Sequence, residues 1–383
     1  MASGLHNCVA SYIVKRAVAD CRIEFTERDM LMTTNIQSIP IPQTRKALVG
    51  YPEGGLRFDW AMIALSALFA GGLWIDGWAH FHGRTDNTFF TPWHFLFYGA
   101  FGLVGLFLAF NAYRNVGKGY VFRRALPVGY WLSLLGAVTF AVGGVGDMIW
   151  HTLFGIEAGT EALTSPTHLI LAIGMFLVWS GPLRAAWLRT GTDERRGWGA
   201  LGPAIISVAL LFSLLGFFTS YAHPLIDPLV RFGRSRQDFG VTTILLQAAL
   251  LMGTVLFVMR RWRLPFGALT VIFTLNALLM VVLTDLFILV PGALIAGLIA
   301  DVLRLRIQAT PTNPLAFRIF AFATPVIYYA LYFVTVQLVI GVQWHVHVWA
   351  GAMFLAGVIG LMLSYLLVQP QVVTETPIGG AAA

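Results

Sequence analysis

The chain has 383 residues, of which 57% are apolar and 11% charged, and its mean hydropathy is +0.75. A charged fraction less than half the roughly 25% usual in soluble domains excludes a soluble globular protein. The net charge of +7 and pI near 9.6 do not indicate a nucleic-acid partner, because the basic residues sit in short segments between long apolar runs, where they set membrane orientation.

Residues 1–56 read as a polar N-terminal tail without the apolar core of a cleavable signal peptide. Met30 or Met32, inside it, is the expected natural start. Cys8 and Cys21 also lie there, with no second pair to complete a zinc site or a disulfide framework. From residue 57 the apolar runs are continuous rather than alternating, as in Leu201 to Phe218 and Ile319 to Val342, so an all-α polytopic membrane bundle is expected and not a β-barrel. Ten transmembrane helices are expected, near 57–80, 92–113, 126–151, 166–188, 199–222, 239–260, 265–287, 290–303, 316–343 and 347–368. The eighth is short for a core that needs roughly 20 residues. Residues 57–190 carry the candidate site, 191–368 hold further hairpins, and 369–383 form a C-terminal tail.

The ten helices pair into five hairpins. Arg114, Lys118, Arg123, Arg124, Arg184, Arg189, Arg195, Arg196, Arg260, Arg261, Arg263, Arg304, Arg306 and Arg318 separate the pairs, whereas the tips carry Arg84, Arg231, Arg234 and Arg236. This asymmetry places both termini in the cytoplasm and the tips outside it, as expected for a bacterial or archaeal plasma membrane. Trp74, Trp78, Trp93, Trp150, Trp344 and Trp349 near the tips fit an interfacial aromatic belt.

Of nine histidines, all but His6 fall at these tips. The first tip reads Asp76-Gly77-Trp78-Ala79-His80, then Thr91-Pro92-Trp93-His94. The second reads Asp147-Met148-Ile149-Trp150-His151, then Ser165-Pro166-Thr167-His168. Each is Asp-x-x-x-His, a loop, then Ser/Thr-Pro-x-His, the mark of a duplicated helical hairpin. Asp and His four apart share one helix face, and at the last turn they meet the negative end of the helix dipole, which favours a cation. Thr91 or Ser165 suits the N-cap, and Pro92 or Pro166 the first helical position, which returns His94 and His168 across the hairpin. Asp76, His80 and His94 thus form one candidate metal triad, and Asp147, His151 and His168 another. Two imidazoles and a carboxylate suit copper(II), zinc or non-haem iron(II), with an exchangeable position left open.

Other polar residues carry weaker readings. Thr219, His223 and Thr242 look like a third copy that has lost two ligands, with His223 as a hydrogen-bonding loop residue. His345 and His347 point to different helix faces unless the helix breaks there. His82, Asp86, Glu157 and Glu161 are candidates to orient ligand imidazoles. Phe81, Phe89, Phe90, Phe95 and Phe97 are candidates to line an apolar pocket, and Asn276, Gln247 and Gln337 to hydrogen-bond between helices.

The stretch Asp76-Gly77-Trp78-Ala79-His80, with Arg84-Thr85-Asp86, Phe90-Thr91-Pro92-Trp93-His94 and Phe97-Tyr98, resembles the C subunit of particulate methane and ammonia monooxygenases. His151-Thr152, Glu157, Glu161 and Pro166-Thr167-His168 are similar to its next hairpin. The resemblance covers about residues 57–190. Asp147 stands where that family usually has Asn, and the last three hairpins exceed its length, as in a distant, enlarged relative. The resemblance implies copper at both triads, O2-dependent hydroxylation of a small-molecule substrate, and partner subunits like those of the monooxygenases, within the lipid bilayer. The alternative expectation is a non-enzymatic membrane protein for divalent metal binding, delivery or transport. Ligands at helix ends, rather than at the bilayer midplane, disfavour transport.

Overall fold

The structure, a computed structural model, describes residues 48–84, 89–155, 157, 159–189, 197–228 and 236–369. His6, Cys8, Cys21, Met30, Met32, Thr85, Asp86, Arg195, Arg196, Arg231 and Arg234 lie outside the described residues, as does most of each tail. The helices are α1 (Gly55–Phe81), α2 (Pro92–Gly117), α3 (Trp131–Phe154), the short α4 (Thr160–Thr164), α5 (Pro166–Trp179), α6 (Gly181–Leu188), α7 (Trp198–Phe218), α8 (Gln237–Arg261), α9 (Ala268–Val282), α10 (Val290–Arg306), α11 (Pro314–Val339) and α12 (Val346–Leu367). No strand occurs among the described residues; Leu48 and Tyr120 form an isolated bridge. Among the described residues, eight helices are long and apolar enough to cross a membrane, α10 counting with the turn Phe287–Leu289 before it. The chain is an integral membrane protein of helical class.

Two of the ten expected spans take other forms. The segment expected as one helix over 166–188 is two, α5 and α6, bent by 41°. The cause is local, since Pro182 has no N–H for the Val178 carbonyl, which instead accepts from Ser133 Oγ at 3.3 Å. Arg184 fills the opened turn, donating to the carbonyls of Leu177 (2.8 Å) and Gly129 (2.9 Å) and to the hydroxyls of Ser133 and Ser180. It is therefore built into the fold rather than placed in a solvated connection.

The second exception is α9, with 15 residues where 265–287 was expected; α10, expected to be the short one, reaches 20 with its preceding turn. Gly267, in the left-handed region at φ +86, starts α9. Its first amides are satisfied from a neighbouring helix: Asp301 on α10 accepts from Thr270 N at 3.0 Å and Thr270 Oγ1 at 2.8 Å, with Leu269 N at 3.4 Å. Free N–H groups at a helix start need such acceptors where water is excluded.

Consecutive helices pack as pairs at α1/α2, α3/α5, α9/α10 and α11/α12, but the expected third pair, α7/α8, touches only lightly. Helix α7 is the central strut, packed on α1, α5, α6 and α9, whereas α8 lies against α12. The sequence of α7 explains this, being apolar all round with small Gly202, Ala204, Ser207, Ala209, Ser213 and Gly216 among its buried residues. The α3/α5 contact is close because Gly174 lies against Phe140, where a Cβ would come within 2.8 Å of the Phe140 Cα. Trp74 and Trp344 are core residues, not belt residues. Trp74 stacks on Trp179 at 6.4 Å and meets Phe217 edge-on at 5.4 Å.

At the end of the bundle away from the triads, Asp59 is buried and bonded to Tyr130 Oη (2.7 Å) and Arg189 (2.6 Å). Asn276 donates to Ser213 at 3.4 Å, and Gln247 to Thr219 and the Ala222 carbonyl, as expected of interhelical amides. Gln337 instead accepts from Val342 N at 3.0 Å, closing the end of its own helix.

Candidate metal centre

Helix ends build both triads. Helix α1 stops in a turn closed by Gly83 at φ +62, with Arg84 N donating to Ala79 O at 2.8 Å, and this leaves Asp76 and His80 half-buried on its last two turns. Thr91 caps α2 by accepting from His94 N at 3.1 Å, with Pro92 at the first position. This returns His94 across the hairpin, where its Nε2 lies 3.5 Å from Asp76 Oδ1; His80 Nε2 lies 3.9 Å from Asp76 Oδ2. In the second triad, His151 Nε2 and His168 Nε2 lie 3.5 and 3.3 Å from Asp147 Oδ1. Within each set the ligand atoms fall inside 4.8 Å of one another, and the described residues contain no other such group.

The donors fit a single ion in each triad. Bonds of about 2.0–2.2 Å to nitrogen and oxygen place neighbouring donors at separations of this order. The far ring nitrogens are also engaged: His94 Nδ1 with Phe89 O (2.6 Å), His151 Nδ1 with Gly155 O (3.1 Å), and His168 Nδ1 with Ser165 Oγ (2.6 Å). A carbonyl accepts only from a protonated Nδ1, so the neutral tautomer that fits these bonds at His94 and His151 has its lone pair on Nε2, on the carboxylate side. Ser165, expected to cap α5, turns its hydroxyl oxygen toward His168 Nδ1 instead.

Glu157 accepts from Trp150 Nε1 at 2.9 Å, and its other oxygen lies 3.8 Å from His168 Nδ1, beyond hydrogen-bond reach. Glu161 makes no such approach among the described residues. His82 does not serve the triads: it bonds to the Trp78 carbonyl (2.8 Å) and to Asp285 (3.0 Å), tying the first tip to the loop after α9. Of the five phenylalanines, only Phe89 lies at the triads, with its ring 4.9 Å from His94 and 6.4 Å from His151. Phe97 is core, and Phe81, Phe90 and Phe95 face outward, the last two 80% and 77% exposed. Two small apolar cavities, one beside Tyr328 and Tyr332 and one beside Trp262, touch no triad residue.

Two residues absent from the sequence-derived set reach Asp147. Thr167 Oγ1 donates to Oδ1 at 3.1 Å, and Tyr98 Oη to Oδ2 at 3.4 Å. Thr167 had a signal, since it directly follows the proline of the second motif, but Tyr98 comes from another hairpin. The third set does not assemble: Thr219 and Thr242 bond to the carbonyls of Leu215 and Asp238 in their own helices. His223 is buried and accepts from Leu225 N at 3.3 Å, a hydrogen-bonding loop residue. The helix does break at His345, which is the N-cap of α12, and its ring stacks on His347 at 5.4 Å.

Fold and site together define a helical membrane protein whose bundle presents two Asp-His-His groups at one end, each able to hold a metal ion. No protein-family model, curated protein or solved structure matches the chain.

Proposed function

We propose that the chain is a copper-binding membrane subunit of an oxidoreductase similar to the particulate methane and ammonia monooxygenases, hydroxylating a small substrate with O2. The observation that carries the reading is the pair of triads, each with its donors converged across a helical hairpin and its ligand imidazoles braced from behind. Zinc and iron suit the same donors; copper follows from the motif resemblance. Bound copper supplies the redox chemistry with O2. The protein's part is to hold Nε2 of His94, His151 and His168 toward the ion, to neutralise its charge with Asp76 and Asp147, and to exclude water between the sites with Phe89.

Arg114, Lys118, Arg123, Arg124, Arg260, Arg263 and Arg306 are exposed at the end opposite the triads, which supports triads outside the cytoplasm of a bacterial or archaeal plasma membrane. Monooxygenase-like partner subunits belong to the same reading. The test is metal analysis with copper EPR on purified wild type, Asp76→Ala/His80→Ala and Asp147→Ala/His151→Ala. Each double variant is expected to lose the copper of its own site and keep the other; equal, negligible copper in all three overturns the reading.

A second reading, metal capture or delivery without catalysis, is favoured by Phe81, Phe90 and Phe95, which face outward rather than toward the triads. Catalysis gives reductant-dependent oxygen consumption with a small substrate, abolished by His80→Ala. Delivery leaves the purified protein inert toward oxygen and changes cellular metal content.

A further inference from the structure

Tyr98 stands between the triads and belongs to neither ligand set. It follows His94 by one turn of α2, and its ring meets His94 at 6.1 Å and Phe89 at 5.6 Å. Its hydroxyl reaches across to α3 and donates to Asp147 Oδ2 at 3.4 Å. Helix α3 makes room with Gly144, where a Cβ would lie 2.7 Å from Tyr98 Cε1. One side chain therefore buttresses a ligand of the first triad and fixes the carboxylate of the second.

The two carboxylates consequently differ. Asp147, 2% exposed, accepts from the hydroxyls of Tyr98 and Thr167 as well as facing its two histidines. Asp76 faces His80 and His94 without a hydroxyl donor among the described residues. Hydroxyl donors fix a carboxylate's orientation and draw on the lone pairs that a metal would use. Moving Asp147 onto an ion must move the Tyr98 hydroxyl, and with it the ring that packs against His94.

We propose that Tyr98 is a positioning residue that couples the two metal sites, so that filling the Asp147 triad alters the affinity and geometry of the Asp76 triad. The inference rests on the triads being metal sites and adds that they act as one unit.

Cu(II) is titrated into the purified full chain in lipid nanodiscs, against a competing chelator and with EPR at each step. The variants are Tyr98→Phe, which removes only the hydroxyl, Gly144→Ala, which displaces the ring, and Thr167→Val, which removes the other donor to Asp147. Each is repeated with Asp147→Ala/His151→Ala to isolate the first site. Tyr98→Phe and Gly144→Ala are expected to weaken the second site by about 10–100-fold. They are also expected to change the Cu(II) hyperfine signature of the first site and to abolish its response to occupancy of the second. Thr167→Val is expected to weaken the second site alone. The coupling is overturned if Tyr98→Phe behaves as Thr167→Val does, or if both spectra and isotherms stay as in wild type. If wild type binds no Cu(II), the metal reading of the triads itself fails, a result distinct from intact binding without coupling.

Discussion

The Ser165 hydroxyl lies 2.6 Å from His168 Nδ1, although Ser165 occupies the N-cap of α5. Thr91, at the equivalent place before α2, spends its oxygen on the His94 amide instead. The two similar motifs thus divide the cap's work differently, and substitution separates the two uses. Ser165→Ala is expected to weaken metal binding at the second triad by roughly tenfold or more, read by chelator competition, with little change in thermal stability. Thr91→Ala is expected to cost about 1 kcal/mol of stability, read by thermal unfolding in detergent.

The buried Asp59 depends on Arg189 for its charge partner. Removing one member of a buried pair leaves the other charge uncompensated, so Arg189→Ala is expected to destabilise by roughly 3–5 kcal/mol. Asp59→Asn/Arg189→Met, which removes both charges, is expected to recover much of that loss. Chemical unfolding of the two variants decides the point; equal losses would show that the ion pair is not the source.

Helix α3 and helix α5 touch through Gly174, where an added Cβ would come within 2.8 Å of the Phe140 backbone. Gly174→Ala overpacks this crossing and is expected to cost about 1–3 kcal/mol. The separation shifts His168 relative to Asp147, so second-triad metal affinity is expected to fall while the first triad keeps its own. A variant as stable as wild type, with both affinities intact, contradicts the contact.

Burial lowers the His223 imidazole from 6.5 to about 3. The folded chain therefore keeps it neutral through a range in which the unfolded chain binds a proton. Stability is fully present above pH 6.5 and falls as pH drops toward 3, by up to roughly 1.4 kcal/mol per pH unit from this group. His223→Asn keeps an acceptor for Leu225 N without the titrating ring. Comparing melting at about pH 7.5 and about pH 5, the variant is expected to lose less stability than wild type; an identical loss sinks the assignment.

The triads were legible in sequence because their signals are local. Asp76 with His80, and Asp147 with His151, are fixed by the helical repeat, and His94 and His168 by a cap and a proline just before them. What escaped depends on packing between distant segments. Nothing near Tyr98 announces Asp147, and nothing near His82 announces Asp285. Asp59 and Asp301 did carry a signal: a carboxylate in an apolar segment needs a partner, but the identity of Arg189 or of the α9 amides required the fold. The bend at Ser180 was also written locally, in Pro182, yet hydropathy alone ran through it. The weak packing of α7 on α8 was hidden because hairpin pairing assumes that neighbours in sequence are the main neighbours in space.

The position of α7 bears on how the chain reaches its finished form. Phe217 packs on Trp74 and against Gly77, one residue from Asp76, and Ser207 bonds to the Trp179 carbonyl. The first two hairpins therefore lack one wall until the ribosome has delivered residues beyond 200. A fragment ending near 190 would contain every ligand yet leave Trp74 and Trp179 facing lipid, with the floor beneath Asp76 missing. If the triads take metal, loading is expected to wait for the later half of the chain, which would then act as an assembly factor for the earlier one, carried on the same polypeptide.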